Sequence, residues 1–292
     1  MLFYDPILSA DHSISCASCH SPYQAFAHND HELSHGINDR IGKRNAPALF
    51  NLAWQKTFMW DGAIHHIDFQ PLAPINHPDE MGEHTAHVIE KLNKLPAYIS
   101  QCNQAFGDDT LTGERMLKSL SQFQLSLVSA DSKYDRVKKG SDHFSPMESA
   151  GYSVYRSHCS SCHPEPLFFK NEFTTNGLSP DSTLNDSGRY TVTRRPEDLF
   201  LFKIPSLRNL SYSYPYMHDG RFQKISDVIR HYSEGIDKTR HLPKSIKGEM
   251  HLEARQKTEL TAFLLTLNDS AFIFRQNHQY PRYLFQGNRK VK

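Results

Sequence analysis

Apolar residues recur at helical spacing in several stretches of the chain, whereas the alternation typical of β-strands is scarce. Helical periodicity runs through residues 84–95 and 114–128. Near the C-terminal end, one helical face collects four apolar residues: Leu260, Phe263, Leu264 and Leu267. The pattern predicts a mainly α fold.

A further helix is predicted from its start signals. Ser145, Pro146 and Glu148 form a capping box with proline at the first helical position. The C-terminal helix can pack against this helix to close a domain. Between the helices, residues 40–82 and 171–220 are rich in proline, asparagine and glycine, which predicts long loops.

The length of 292 residues suits two domains. We place a linker near residues 135–145, which divides the chain into domains over 1–140 and 141–292. The net charge of +1 gives no indication of nucleic acid binding. No apolar run approaches the roughly 20 residues that a bilayer requires, so we expect no membrane-spanning segment.

The same pentapeptide pattern occurs twice, as CASCH at residues 16–20 and CSSCH at 159–163. Two cysteines followed directly by histidine are typical of covalent c-type heme attachment, in which the thiols bind the porphyrin and the imidazole binds iron. A zinc site or a dithiol redox pair are the alternatives, but zinc needs no histidine fixed after each pair. The predicted heme ligands are Cys16, Cys19 and His20 for one heme, and Cys159, Cys162 and His163 for the other.

The two motifs contain four of the five cysteines, and we interpret the fifth, Cys102, as a small buried hydrophobe. No signal peptide is recognised at Met1. Because c-type heme is normally attached after export, we expect that a leader was removed and that the protein is periplasmic.

Two hemes alone also fit a non-catalytic electron carrier, so the residues of the loops are needed to distinguish an enzyme from a carrier. A peroxidase needs one iron with an open position and a nearby group that moves the peroxide proton. The span FMWDGAIHHIDFQPLAPINHPDEMG offers Trp60, Gln70, Pro74 and Glu80, with Glu80 as the acid/base. Read without that context, Glu80 is a solvated carboxylate and Trp60 a core aromatic.

The chain resembles the bacterial di-heme cytochrome c peroxidase and MauG family from residue 2 to about 268. The resemblance rests on LFYDPILSADHSISCASCH, GKRNAPALFN, FMWDG with the stretch up to Glu80, KIPSLRNLSYSYPYMHDGRF and the closing helix. It implies two cytochrome c-like domains with long loops. The heme on His20 would be peroxidatic, and the heme on His163 would transfer electrons.

The resemblance also implies roles for individual residues. Glu80 and Gln70 would line the distal pocket of the peroxidatic heme, Pro74 would flank it, and Trp60 would relay electrons between the hemes. A calcium ion would lie between the domains, held by the Asn45 side chain and by two backbone carbonyls, those of Ser213 and Pro215. Oxygen donors of this kind suit calcium.

The sixth ligand of the second heme divides the subfamilies. Typical peroxidases of the family have methionine fourteen residues after the histidine of HDG, whereas here that position is Tyr232, as in MauG-like members. A phenolate donor would stabilise ferric iron. Alternatively, Tyr232 belongs to an apolar helical stripe with Ile225, Val228 and Ile229 and is only core, and Met217 is a rival ligand.

Two further departures from the family concern the reaction. Where many members have a distal histidine, eight residues before Asn45, this chain has Ile37, so we expect an open iron without reductive activation. Where MauG has its surface tryptophan, six residues before His163, this chain has Ser157, although Tyr152, Tyr155 or another tyrosine can substitute.

We therefore expect hydrogen peroxide reduction to water, with electrons from a small cytochrome c or cupredoxin. The alternative is a MauG-like enzyme that oxidises aromatic residues of a partner protein through a high-valent iron state.

Overall fold

A computed structural model of the chain describes residues 1–28, 30–237, 242, 246 and 248–285. The prediction of a mainly α fold is confirmed. The α-helices of these residues are α1 Cys16–Cys19, α2 Leu72–Asn76, α3 Thr85–Leu92, α4 Pro96–Phe106, α5 Gly113–Ser126, α6 Lys133–Lys138, α7 Pro146–His158, α8 Tyr190–Thr193, α9 Ile225–Glu234, α10 Ala254–Leu265, α11 Ser270–Ile273 and α12 Arg282–Phe285. Within the described part, none of them is long and apolar enough to cross a membrane.

The first hydrophobic core, which we call core A, lies in the N-terminal half. The predicted helical stretches 84–95 and 114–128 correspond to α3 and α5, whose apolar faces are buried there. Cys102 on α4 is 3% exposed and belongs to this core, which confirms that it packs as a hydrophobe.

The second core, core B, forms around the crossing of α7 and α10. Helix α7 begins as predicted: the Glu148 backbone N–H donates to Ser145 Oγ, and Glu148 Oε2 accepts from the Ser145 backbone N–H at 2.7 Å. Phe263 on α10 lies with its ring centroid 5.0 Å from that of Tyr155 on α7. Gly151 permits this approach, because a Cβ there would lie 1.8 Å from the Glu259 carbonyl oxygen.

The predicted loop over residues 171–220 also contains a small sheet. Strands β1 Lys170–Thr174 and β2 Phe202–Ile204 pair antiparallel. The sequence showed no alternation here because the strands are short and only partly buried. Strand β2 positions Lys203, whose backbone N–H donates to the Trp60 carbonyl oxygen at 2.8 Å.

Each core also contains residues from the other half of the chain. Tyr134 on α6, which precedes residue 140, is 2% exposed and packs in core B. Phe272 and Ile273 on α11 return to core A. The domain boundary at 140 stays a prediction.

Salt bridges of Arg44 join segments that are distant in the chain. Arg44 donates from Nη1 to Asp61 at 2.7 Å and from Nε to Asp186 at 2.6 Å. The guanidinium is thereby held in a fork between loops that are 125 residues apart in the chain.

Candidate heme sites

The two CxxCH motifs fold into the same backbone turn. In the first motif, the His20 backbone N–H donates to the Cys16 carbonyl oxygen at 2.9 Å, directly after α1. In the second, the His163 N–H donates to the Cys159 oxygen at the same distance, after the end of α7. One helical turn therefore brings both cysteines and the histidine of each motif together, as attachment of a porphyrin requires.

Both histidine rings are oriented by backbone carbonyls. Nδ1 of His20 lies 2.8 Å from the Phe26 oxygen. Nδ1 of His163 lies 3.1 Å from the Phe168 oxygen and 3.0 Å from the Pro205 oxygen. Because carbonyl oxygens only accept, Nδ1 carries the proton and Nε2 keeps its lone pair for iron.

The protonation state of the histidines fits iron binding as well. Burial lowers the pKa of His20 to about 4, and burial also lowers the pKa of His163. Both imidazoles are therefore neutral at pH 7, as a metal-ligating histidine must be.

A cavity of about 250 Å³ opens beside the second motif. Apolar side chains of α9 and α10 line it together with polar groups of the neighbouring loops. The wall includes Cys159, Cys162, His163, Trp60, Lys203, Met217 and Tyr232. The composition of this wall suits a large flat cofactor whose edge is polar.

Lys203 gives an independent test of that fit. Its Nζ donates to two neutral acceptors, Gln55 Oε1 and the Thr57 carbonyl oxygen, and burial lowers its pKa to about 8. Among the residues that the structure describes, no carboxylate lies within ion-pair distance of Lys203. Since buried ammonium groups need a counter-charge, a porphyrin propionate would supply what the protein lacks.

Tyr232 and Met217 both lie on the wall of this cavity. Tyr232 shares the wall with Ile225, Val228 and Ile229, so the apolar stripe of α9 faces the cavity. The thioether of Met217 accepts from Asn176 Nδ2 at 3.3 Å. Burial raises the pKa of Tyr232 to about 12.

Glu80 lies near the first motif. Burial raises the pKa of Glu80. The pKa of the Cys19 thiol is raised to about 11, mainly by burial and further by the negative charge of Glu80. The backbone holds the loop in place, because the Glu80 oxygen accepts from the Ile37 N–H at 2.8 Å. Gly36 allows this contact: a Cβ there would lie 2.1 Å from the Asp79 oxygen.

The other predicted residues of the first half surround this loop. Gln70 is buried, with Nε2 3.9 Å from the Met59 sulfur, and the Pro74 oxygen accepts from the Met81 N–H at 3.1 Å. Ile37 is also buried. Trp60 lies on the wall of the cavity beside the second motif.

The three predicted calcium ligands, Asn45, Ser213 and Pro215, line one cavity. The Asn45 backbone N–H donates to the His218 oxygen at 2.7 Å, and its Nδ2 donates to the Glu32 oxygen at 3.0 Å. The Asn45 backbone oxygen accepts from Trp60 Nε1 at 2.8 Å. These bonds fix the orientation of the Asn45 amide.

Comparison with known proteins agrees with this geometry. Residues 1–143 match the family described as "Di-haem cytochrome c peroxidase". The chain is 32% identical over 276 residues to the methylamine utilization protein MauG of Methylorubrum extorquens, covering 91% of this chain and 76% of that protein. It is 34% identical over 234 residues to cytochrome c551 peroxidase of Nitrosomonas europaea, covering 78% and 70%.

Among solved structures, the chain is similar to a MauG-like protein associated with microbial copper homeostasis. The TM-score is 0.85 at 28% identity, with 96% of this chain and 91% of that one covered. The fold and the two motifs define a di-heme c-type protein. The chain belongs to the di-heme cytochrome c peroxidase and MauG family, and it is a peroxidase-type oxidoreductase with two c-type hemes.

The relatives include both peroxidases and MauG proteins, so both predicted functions fit the family. Sequence reasoning did not single out Lys203, Asn176 or Arg44. Their partners lie far away in the chain, so no local signal marks them.

Proposed function

We propose that the protein reduces hydrogen peroxide to water at the heme on His20, with Glu80 as the acid/base. The observation that supports this most directly is the partly buried carboxylate of Glu80, which lies close enough to Cys19 for its charge to raise the pKa of that thiol. A bound heme supplies an iron that coordinates and reduces peroxide. The chain must then supply proton transfer, orientation and a route for electrons.

Glu80 is suited to move a proton between the two peroxide oxygens. Its raised pKa, caused by burial, brings the carboxyl closer to the working pH, which is the condition for efficient acid/base catalysis. Gln70 would orient the bound oxygen by hydrogen bonding, and Pro74 would flank the pocket. Ile37 has no atom that binds iron, which leaves the sixth position open to peroxide.

Electrons would enter through the heme on His163, with Tyr232 as its sixth ligand. Asn176 hydrogen-bonds the Met217 sulfur and also the Tyr232 side chain, so the support for Tyr232 is its position fourteen residues after His218. Trp60 would relay electrons, and its indole N–H is anchored to the Asn45 oxygen.

Calcium would bind the Asn45 side chain and the carbonyls of Ser213 and Pro215. This site would connect the metal to Trp60 through Asn45. We place the protein in the periplasm, where a small cytochrome c or cupredoxin would donate electrons.

Replacing Glu80 with glutamine tests the proposal. The variant keeps the shape of the side chain but cannot exchange a proton, so peroxide turnover should fall by about 10²- to 10⁴-fold. Both heme spectra should remain unchanged. Glu90→Gln, at an exposed position of α3, is the matched control and should turn over normally. Normal turnover by Glu80→Gln would remove Glu80 from the role.

Oxidation of a partner protein is the second candidate, favoured by the similarity to MauG proteins. Such an enzyme would turn over poorly with small redox donors and would oxidise aromatic side chains of one specific protein. Stopped-flow absorbance of the ferric protein with peroxide, with and without reduced donor, separates the two. A non-catalytic carrier would show no ferric high-spin signal and no reaction.

A further inference from the structure

We propose that Tyr155 and Tyr152 form a redox route from the heme on His163 to the protein surface, with Glu165 accepting the phenol proton of Tyr152. The proposal rests on the peroxidase function above, since peroxide is the oxidant. It adds a one-electron path and the residues that carry it.

The inner end of the route is Tyr155. This residue is completely buried, and its hydroxyl donates to the backbone oxygen of His163. The hydrogen bond connects the phenol to the residue that would bind iron through Nε2. The contact requires only the turn after α7, which places residues 155 and 163 side by side.

The second step passes from Tyr155 to Tyr152. Their rings are nearly parallel, at 13°, with centroids 6.1 Å apart. Phe263 closes the remaining space, with its ring 5.0 Å from Tyr155 and 5.1 Å from Tyr152. Tyr152 is partly exposed, so it can be reached from solvent.

The carboxylate of Glu165 is placed to accept the proton of the Tyr152 hydroxyl. Its hydroxyl donates to Glu165 Oε1 at 2.6 Å and accepts from Lys138 Nζ at 2.8 Å. Glu165 Oε2 also accepts from the Tyr134 hydroxyl at 2.5 Å and lies 2.9 Å from Lys138 Nζ, so two further donors hold the carboxylate against Tyr152.

The charges around Tyr152 are balanced. The Lys138 ammonium lies 4.8 Å from the centre of the Tyr152 ring and opposes loss of an electron from it. The carboxylate of Glu165 lies 2.9 Å from the same ammonium and offsets that charge. Loss of an electron from Tyr152 is therefore not opposed by an unpaired positive charge.

The electron and the proton of Tyr152 leave to different acceptors. The peroxide-oxidised di-heme centre gains one electron, and Tyr152 loses it by way of Tyr155. The O–H bond of Tyr152 breaks, and its proton moves to Glu165, which leaves a neutral tyrosyl radical. A one-electron donor at the surface then reduces the radical, and the proton returns from Glu165.

Freeze-quench EPR of the di-heme protein after one equivalent of hydrogen peroxide tests the route. The wild-type protein should give a radical signal that narrows when the protein is made with ring-deuterated tyrosine. Tyr152→Phe and Glu165→Gln should each lower that signal by at least about tenfold, which corresponds to losing one charge-assisted hydrogen bond. Tyr155→Phe should slow its formation.

Tyr98→Phe is the matched control. Tyr98 is also a buried tyrosine that donates to a carboxylate, Asp5 Oδ2 at 2.7 Å, but it packs in core A. Its replacement should leave the signal unchanged.

The outcomes separate the two proposals. Peroxide consumption without a tyrosine radical, or an equal signal in Tyr152→Phe, overturns the route and leaves the proposed function intact. A wild-type protein that consumes no peroxide overturns both.

Discussion

Gly151 lies where α7 crosses α10, and its replacement by alanine tests how closely this crossing is packed. The added Cβ would lie 1.8 Å from the Glu259 oxygen, 2.5 Å from the Glu259 carbonyl carbon and 2.9 Å from Phe263 Cβ. Two of these neighbours are backbone atoms, which cannot rotate away. The helices must therefore separate by roughly 1.5 Å to restore ordinary contact.

Two free energies oppose each other in this substitution. Alanine in place of glycine inside a helix stabilises it by about 1 kcal/mol. The free-energy cost of overpacking is usually about 1–3 kcal/mol, and a clash with backbone atoms should cost about 3 kcal/mol or more. We expect a net destabilisation of at least about 2 kcal/mol, which lowers the melting temperature by about 4 °C or more.

Thermal unfolding of the heme-loaded protein, followed by circular dichroism, measures the effect. Gly113→Ala is the control, because a Cβ at the start of α5 meets nothing within 4 Å. The control should melt at the wild-type temperature or slightly above it. A Gly151→Ala variant that melts with the control would refute the close crossing.

Two other predictions concern the second half of the chain. Tyr232→Phe should change the spectrum of the low-spin heme and raise its midpoint potential, because a phenolate donor stabilises ferric iron; identical spectra would exclude ligation. Asp135→Asn should cost about 3–5 kcal/mol in unfolding free energy, because it leaves Arg208, 2% exposed, without the carboxylate that it binds at 2.8 and 2.6 Å. Burial alone would raise the pKa of Asp135, but its hydrogen bonds and charge interaction with Arg208 outweigh burial, so the pKa is lowered. The stability that this pair contributes is therefore complete above the ordinary aspartate pKa. It is lost as the pH falls from there through the lowered pKa of Asp135. Denaturant titrations at several pH values measure this, with the partly exposed Asp142→Asn as a control whose midpoint should barely move.

Local signals in the chain predicted a large part of the fold. Three residues close in sequence, Ser145, Pro146 and Glu148, determine where α7 starts. The five residues of each CxxCH motif likewise determine its turn, so both features could be predicted locally. The buried face of α10 likewise follows from its own periodicity.

Features that depend on contacts across the chain could not be predicted in this way. Lys203 lacks a carboxylate only because the fold places it against Gln55 and Thr57, about 150 residues earlier. The return of Phe272 to core A is also invisible locally, since an apolar residue near a C-terminus fits either core. The first motif and Glu80 were each recognisable, but their proximity depends on the path of the loop through Gly36.

The fork made by Arg44 also bears on the order in which the fold closes. Its donors are satisfied only when Asp61 from the early part of the chain and Asp186 from the late part are both in position. A chain cut before Asp186 would leave Nε and Nη2 of Arg44 without their carboxylate, so this guanidinium is fully paired only when both loops have docked.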